Sequence, residues 1–112
     1  MVQYQQHLDQ VFAALADPAR RGILERLGHG PATITELAEP FRMTLTGLKK
    51  HVQVLEEAGL VTTEKVGRAR RCSLGTRDLD DVQLWIEGYR RMLEGRLDRL
   101  GEVLERTKGD AP

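Results

Sequence analysis

The stretch from Thr44 to Leu60, TLTGLKKHVQVLEEAGL, limits the folds open to this chain more than any other. Thr44 offers a side-chain oxygen to the orphan amides of a first helical turn, and Gly59 supplies a left-handed stop after Ala58. Between these marks Leu45, Leu48, Val52 and Leu55 recur at intervals of three, four and three. That spacing predicts a helix with these four side chains on one buried face. The remaining surface carries Thr46, Gly47, Lys49, Lys50 and Gln53, a basic face with short side chains at its N-terminal end. It has the shape to enter a DNA groove.

Such a helix needs a brace, and the residues before it provide one. Thr35 is expected to cap a brief helix through Glu39, with Pro40 ending it and Phe41 to Met43 turning into the longer helix. The pair forms a helix-turn-helix that presents the N-terminal half of its second helix outward. Ala32 to Ile34 reads as a short extended segment, set off by the breakers Gly28, Gly30 and Pro31. Asp17 followed by Pro18 marks a helix start, because Asp accepts from free amides and Pro at the first position sacrifices no bond. The helix runs from Pro18 to Leu27 with Ile23, Leu24 and Leu27 apolar. Its Arg20, Arg21 and Arg26 form either a solvated face or structural pairs across a dimer. Leu8, Val11, Phe12 and Leu15 give Gln5 to Ala16 an apolar side, which packs on the chain's own core or on a partner's.

After Gly59 the period changes. LVTTEKV is rich in β-branched residues, GRARR turns, and CSL returns as a second strand, which predicts a hairpin. Lys65, Arg68, Arg70 and Arg71 fall within seven residues with no acid among them. Beside a groove-reading helix this is a wing for phosphate or minor-groove contacts; otherwise it is an edge hairpin guarded by charge. From Asp78 to about Lys108 one long helical pattern places Leu79, Val82, Ile86, Tyr89, Leu93, Leu97, Leu100 and Leu104 three or four residues apart, with Trp85 and Met92 widening the stripe. At 1.5 Å per residue it extends roughly 45 Å, more than a domain of this size needs for internal packing, so pairing with a second chain is expected.

These elements make a mainly α chain with a small β-hairpin, an α+β winged helix-turn-helix with long N- and C-terminal dimerisation helices. The 112 residues suit one domain, 1–108, with 109–112 as a loose tail. Formal net charge is zero, but residues 1–41 carry −2, 42–77 carry +5 and 78–112 carry −3. A positive middle between negative ends is a local footprint of the kind that steers a protein to phosphate. No apolar run is long enough for a membrane span, and the start MVQYQQHLDQ has no secretory pattern, so the expectation is a cytoplasmic protein with no membrane partner.

ALADPARRGILERL in the first helices, TELAEPF before the turn, TLTGLKKHVQVLEEAGLV and the basic hairpin after it together resemble the ArsR-type winged-helix repressors over nearly the whole chain. The resemblance implies a homodimer, held by its first and last helices, that binds an imperfect palindrome in a promoter and represses transcription. Metal sensing does not carry over. Thr33-Ile34-Thr35 stands where a thiolate pair would sit, and the last helix has no histidine. His7, His29 and His51 are scattered, and Cys72 is alone, either a small strand residue or a redox switch. The chain is thus placed in the non-metal-sensing subgroup, with no cofactor. Lys49 departs from the small Ser often found in the family at that position. Gly47 either lets the backbone approach DNA or fits a neighbouring helix, and His51 contacts a phosphate or braces the turn.

The expected DNA-binding residues are Thr44, Thr46, Gly47, Lys49, Lys50, His51, Gln53, Lys65, Arg68, Arg70 and Arg71. Thr46, Gln53 and the two lysines are set nearest the bases, and the wing arginines and His51 on the backbone. The expected dimer interface is Leu8, Val11, Phe12, Leu15, Val82, Trp85, Ile86, Tyr89, Leu93, Leu97 and Leu100. The partners are promoter DNA and a second copy; no effector is legible. An alternative is a dimeric adaptor acting through protein contacts, against which the charged middle segment argues. An enzyme has no support, since neither a phosphate loop nor a nucleophile and base pair is present.

Overall fold

A computed structural model describes residues 2–77 and 79–110, with backbone alone for 2–5, 97, 98, 102, 103 and 105–110. Eight elements follow in order: α1 (Val2–Leu15), α2 (Pro18–Leu27), β1 (Ala32–Thr33), α3 (Ile34–Phe41), α4 (Leu45–Glu57), β2 (Val61–Val66), β3 (Ala69–Leu74) and α5 (Asp80–Asp110). The strands form one antiparallel sheet in the order β1-β3-β2. The chain divides into two compact units, Met1–Asp78 and Leu79–Pro112. The expected mainly α winged helix-turn-helix is the observed class, with a third strand added to the hairpin.

Local chemistry sets the helix ends in the first unit. Asp17 accepts from the amides of Ala19 at 2.8 Å and Arg20 at 3.2 Å, which starts α2 where its sequence placed it. For α3 the expectation is corrected at both ends. Its cap is Thr33, not Thr35: the Thr33 Oγ1 accepts from the Glu36 amide at 3.2 Å, and Thr35 is exposed in the first turn. Pro40 does not end the helix, which continues through Phe41. A proline in a last turn removes only one backbone bond, and Phe41 is held half-buried against Gly22, where a Cβ would lie 2.7 Å from Phe41 Cε1. The turn that follows uses Arg42 in the left-handed region, φ 53° and ψ 39°, with the Met43 amide donating to the Ala38 carbonyl at 3.3 Å.

α4 is capped as its sequence predicts. Thr44 Oγ1 accepts from the Gly47 amide at 3.0 Å. At the other end Gly59 has φ +78°, its amide donates to Glu56 O at 2.9 Å, and the Leu60 amide donates to Leu55 O at 2.9 Å. This paired closure satisfies carbonyls that a helix end otherwise leaves open. The hairpin leaves and rejoins the body at the same spot: Gly75 N donates to Leu60 O at 2.8 Å, and a Cβ on Gly75 would collide with the Gly59 carbonyl oxygen.

Val11, Ile23, Leu37, Leu48, Leu55, Val61 and Cys72 are fully buried, so α1 to α4 and the sheet share one core. Each such aliphatic side chain contributes about 1.5–3 kcal/mol over its exposed state. Leu45 does not join them. It is 46% exposed, because it stands one turn ahead of the first core layer at Leu48.

The second unit is α5. Helix begins at Asp80, the expected start Asp78 lying outside the described residues, and Gly109 and Asp110 continue it where a loose tail was expected. Ala111 and Pro112 lie outside the described residues. Trp85 and Tyr89 stack with ring centroids 5.8 Å apart. Among the described residues no helix is long and apolar enough to cross a membrane.

Candidate nucleic-acid interface

The hairpin register decides which way its cations point. Val61 pairs with Leu74, Thr63 with Cys72, Glu64 with Arg71, Lys65 with Arg70 and Val66 with Ala69. Side chains alternate along a strand, so Lys65 and Arg70 share the face of buried Val61 and Cys72, and Glu64 and Arg71 share the other. The expected turn GRARR is corrected by this register: only Gly67 and Arg68 make the turn, with Gly67 at φ +63°, and Arg70 and Arg71 belong to β3. Arg71 Nε donates to Glu64 Oε1 at 3.1 Å, and its Nη2 donates to the same oxygen. Arg71 is therefore charge-paired on the face away from α4.

The other three wing cations converge with α4. Lys65, Arg68, Ala69 and Arg70 line one side of a groove of about 450 Å³, Leu45 and Lys49 of α4 line another, and Thr33, Ile34 and Thr35 close it. Among the described residues no carboxylate lines it, and Glu56 lines the adjoining groove with Lys49 and Arg70. Lys65 and Arg70 stand directly opposite each other across the strands, a like-charge pairing that weakens an isolated hairpin. Four cations with no internal anion make a seat for a polyanion.

Thr46, Lys50 and Gln53 are exposed on α4, at i, i+4 and i+7, and share one outward strip. Gln53 Nε2 donates to Glu57 Oε1 at 3.3 Å. Thr44 is exposed, with its hydroxyl oxygen engaged in the cap. Gly47 faces its own cap rather than a neighbouring helix, since a Cβ there would lie 3.2 Å from Thr44 Oγ1. His51 is half-buried, with Nδ1 3.3 Å from Arg20 Nη1, so the structure places it against α2 in the bracing position.

Arg20 is the centre of that brace, a role its sequence did not disclose. Its Nε donates to Ala14 O at 2.9 Å and its Nη2 to Ala13 O at 2.8 Å, while Arg21 Nη1 donates to Leu15 O at 2.7 Å. The two guanidinium groups satisfy the terminal carbonyls of α1 and oppose the negative end of its dipole. Arg26 Nη1 donates to Gly30 O at 3.1 Å. These three arginines thus serve backbone carbonyls within the chain; Arg21 is exposed, as a solvated face requires, while Arg20 and Arg26 are half-buried. Partial desolvation works against the charge of Asp17. The Arg20 and Ala19 amides and the charges of His51 and Arg20 nevertheless hold its carboxyl below the ordinary value of 3.8.

Burial pushes the Cys72 thiol up, Glu56 adds to the rise, and Arg70 offsets part of it. A fully buried, protonated thiol in the central strand is a small packing residue, not a nucleophile. Among the described residues no group of three or more His, Cys, Asp or Glu is placed to hold a metal ion.

The expected interface residues divide by burial. Leu8, Val11 and Val82 are buried in the single chain, and Phe12 and Leu15 are half-buried. Trp85, Ile86, Tyr89, Leu93 and Leu100 are 43–54% exposed, and the side chain of Leu97 lies outside the described residues. Leu45 in the groove was missed, because its period matches the core face.

Comparison with known proteins agrees with this geometry. Residues 15–64 match a family model described as a helix-turn-helix domain. The HTH-type transcriptional regulator Rv2034 of Mycobacterium tuberculosis is 33% identical over 98 residues, covering 80% of this chain and 92% of the relative. The transcriptional repressor SdpR of Bacillus subtilis is 32% identical over 82 residues, covering 73% and 91%. The crystal structure of an ArsR family transcriptional regulator superposes with a TM-score of 0.74 at 42% identity, over 84% of this chain and 97% of that one. With its winged architecture and helix-turn-helix, the chain belongs to the ArsR-type winged helix-turn-helix transcriptional regulators, DNA-binding proteins and not enzymes.

Proposed function

We propose that the protein is a homodimeric repressor that binds an imperfect palindrome in double-stranded DNA near its own promoter. Two copies of α4 enter successive major grooves, about 34 Å apart along one side of the duplex. The observation that carries this reading is the groove between α4 and the wing, walled by Lys49, Lys65, Arg68 and Arg70 with no carboxylate among the described residues that line it. Its cations sit where a phosphate backbone flanks an inserted helix, and phosphate contacts set register while base contacts set preference.

Thr46, Lys50 and Gln53 face the bases. Lys49 joins the wing cations on the backbone, and the exposed Thr44 lies at the helix N-terminus, where amides favour a phosphate. His51 braces α4, and Gly47 accommodates the cap. Arg71, already paired with Glu64, adds little. The dimer is supported by α5, on which Trp85, Ile86, Tyr89, Met92, Leu93 and Leu100 remain 43–64% exposed in a single chain. The repressor sense is supported by the name of the Bacillus subtilis relative.

Titration of promoter-region duplex at several salt concentrations tests the reading. Four phosphates per subunit give log affinity against log salt a slope of about −7. A slope near zero would overturn it, and a monomer by sedimentation at micromolar concentration would overturn the dimer.

A further inference from the structure

We propose that Leu45 is a specificity-determining residue that reads a thymine methyl group in the major groove, an inference that rests on the DNA-binding reading above. Leu48, Val52 and Leu55, which share its helical face, are 0–3% exposed, whereas Leu45 is 46% exposed. The core leaves nearly half of its surface uncovered. It is the first residue of α4, and the N-terminal residues of a recognition helix are the ones that reach base edges.

The surroundings of Leu45 identify what covers it. Its side chain lines the groove walled by Lys49, Lys65, Arg68 and Arg70. An apolar protein partner is a poor occupant, because the core of a protein interface is depleted in charge. A DNA duplex satisfies the four cations with phosphates. Its major groove offers hydrogen-bond donors and acceptors at every position and one apolar group, the C5-methyl of thymine. A leucine in a cationic groove matches that single feature, and Thr46 beside it supplies the hydroxyl for an adjacent polar edge.

The test begins by recovering binding sites from a random-sequence duplex pool with the full chain. Each thymine of a recovered duplex is then replaced singly by deoxyuridine, which removes the methyl and keeps every hydrogen-bonding group. The expected result is a thymine in each half-site whose replacement weakens wild-type binding about threefold to fivefold, the worth of one buried methyl. Leu45→Ala should bind the two duplexes equally, and Leu45→Met, which keeps an apolar reach and guards against a folding artefact, should retain the discrimination. Indifference of the wild type to every deoxyuridine, or equal discrimination by Leu45→Ala, overturns the proposal. Failure to enrich any duplex overturns the DNA-binding reading itself, and the proposal with it.

Discussion

The two flanks of α4 use cationic side chains in opposite ways. On the flank toward α2, Arg20 donates to two terminal carbonyls of α1 and meets His51, and Arg21 serves a third carbonyl. On the flank toward the wing, Lys49, Lys65, Arg68 and Arg70 line a groove that no described carboxylate lines, Glu56 lying in the adjoining one with Lys49 and Arg70, and Lys65 faces Arg70 across the strands. The first set gains stability from its hydrogen bonds; the second gives some up to like-charge repulsion. Residue type does not separate the two roles. What separates them is whether the chain supplies the acceptor.

This contrast can be broken by experiment. The largest effect is expected from Lys65→Ala combined with Arg70→Ala. DNA affinity should fall about a hundredfold and the salt slope become shallower by about 3.6, the loss of two phosphates in each of two subunits. The thermal midpoint should stay level or rise as the repulsion is removed. A fall in stability would erase the distinction between the flanks. Next comes Arg20→Ala, which should lower the unfolding free energy by about 1–2 kcal/mol, read from a urea midpoint at constant m, with the salt slope unchanged.

A pH series sharpens the bracing side. Because the folded state holds the Asp17 carboxyl below its ordinary value, its contribution is complete above the unfolded value of about 3.9 and is lost as pH falls through the folded one. The wild type should therefore lose stability below about pH 4 in a step missing from Asp17→Asn, which keeps the cap but does not titrate. Thermal midpoints at pH 7 and pH 3 measure it. The smallest effect is expected from Arg71→Ala, a wing cation on the self-paired face. Stability should fall by at most about 1 kcal/mol and DNA affinity by less than about twofold. A loss matching that of Arg70 would mean that charge density, not facing, governs the wing.

Much of this is legible in the sequence. Asp17-Pro18 and Thr44 with Gly59 bound α2 and α4 because capping is local chemistry carried by a few side chains. The start of α3 was ambiguous, since Thr33 and Thr35 can both cap; the overlooked signal was Thr33 followed three residues later by Glu36. Its continuation past Pro40 depends on Phe41 meeting Gly22, a contact between residues far apart in sequence. The cations of the wing were visible as composition, but their facing was not, because a one-residue shift in register exchanges the two faces. β1 shows in the sequence as the extended segment Ala32 to Ile34, but two residues carry no period to say which strand they join, and the exposure of Leu45 depends on where the core ends.

The meeting of Gly75 with the Gly59 carbonyl bears on how such a protein can change over generations. The base of the hairpin admits no side chain at Gly75 and requires a left-handed residue at Gly59, so mutations there are removed by misfolding before they can be tested on DNA. The tip has room: nothing lies within 4 Å of a Cβ placed on Gly67, although its own φ of +63° still favours glycine there, so the latitude lies beside it. Residues inserted beside Arg68 would lengthen the reach of the wing by roughly 3.3 Å for each residue added to a strand, with α4 still seated as before. Inherited variation in operator preference therefore has a cheap route through the tip and a closed one through the base.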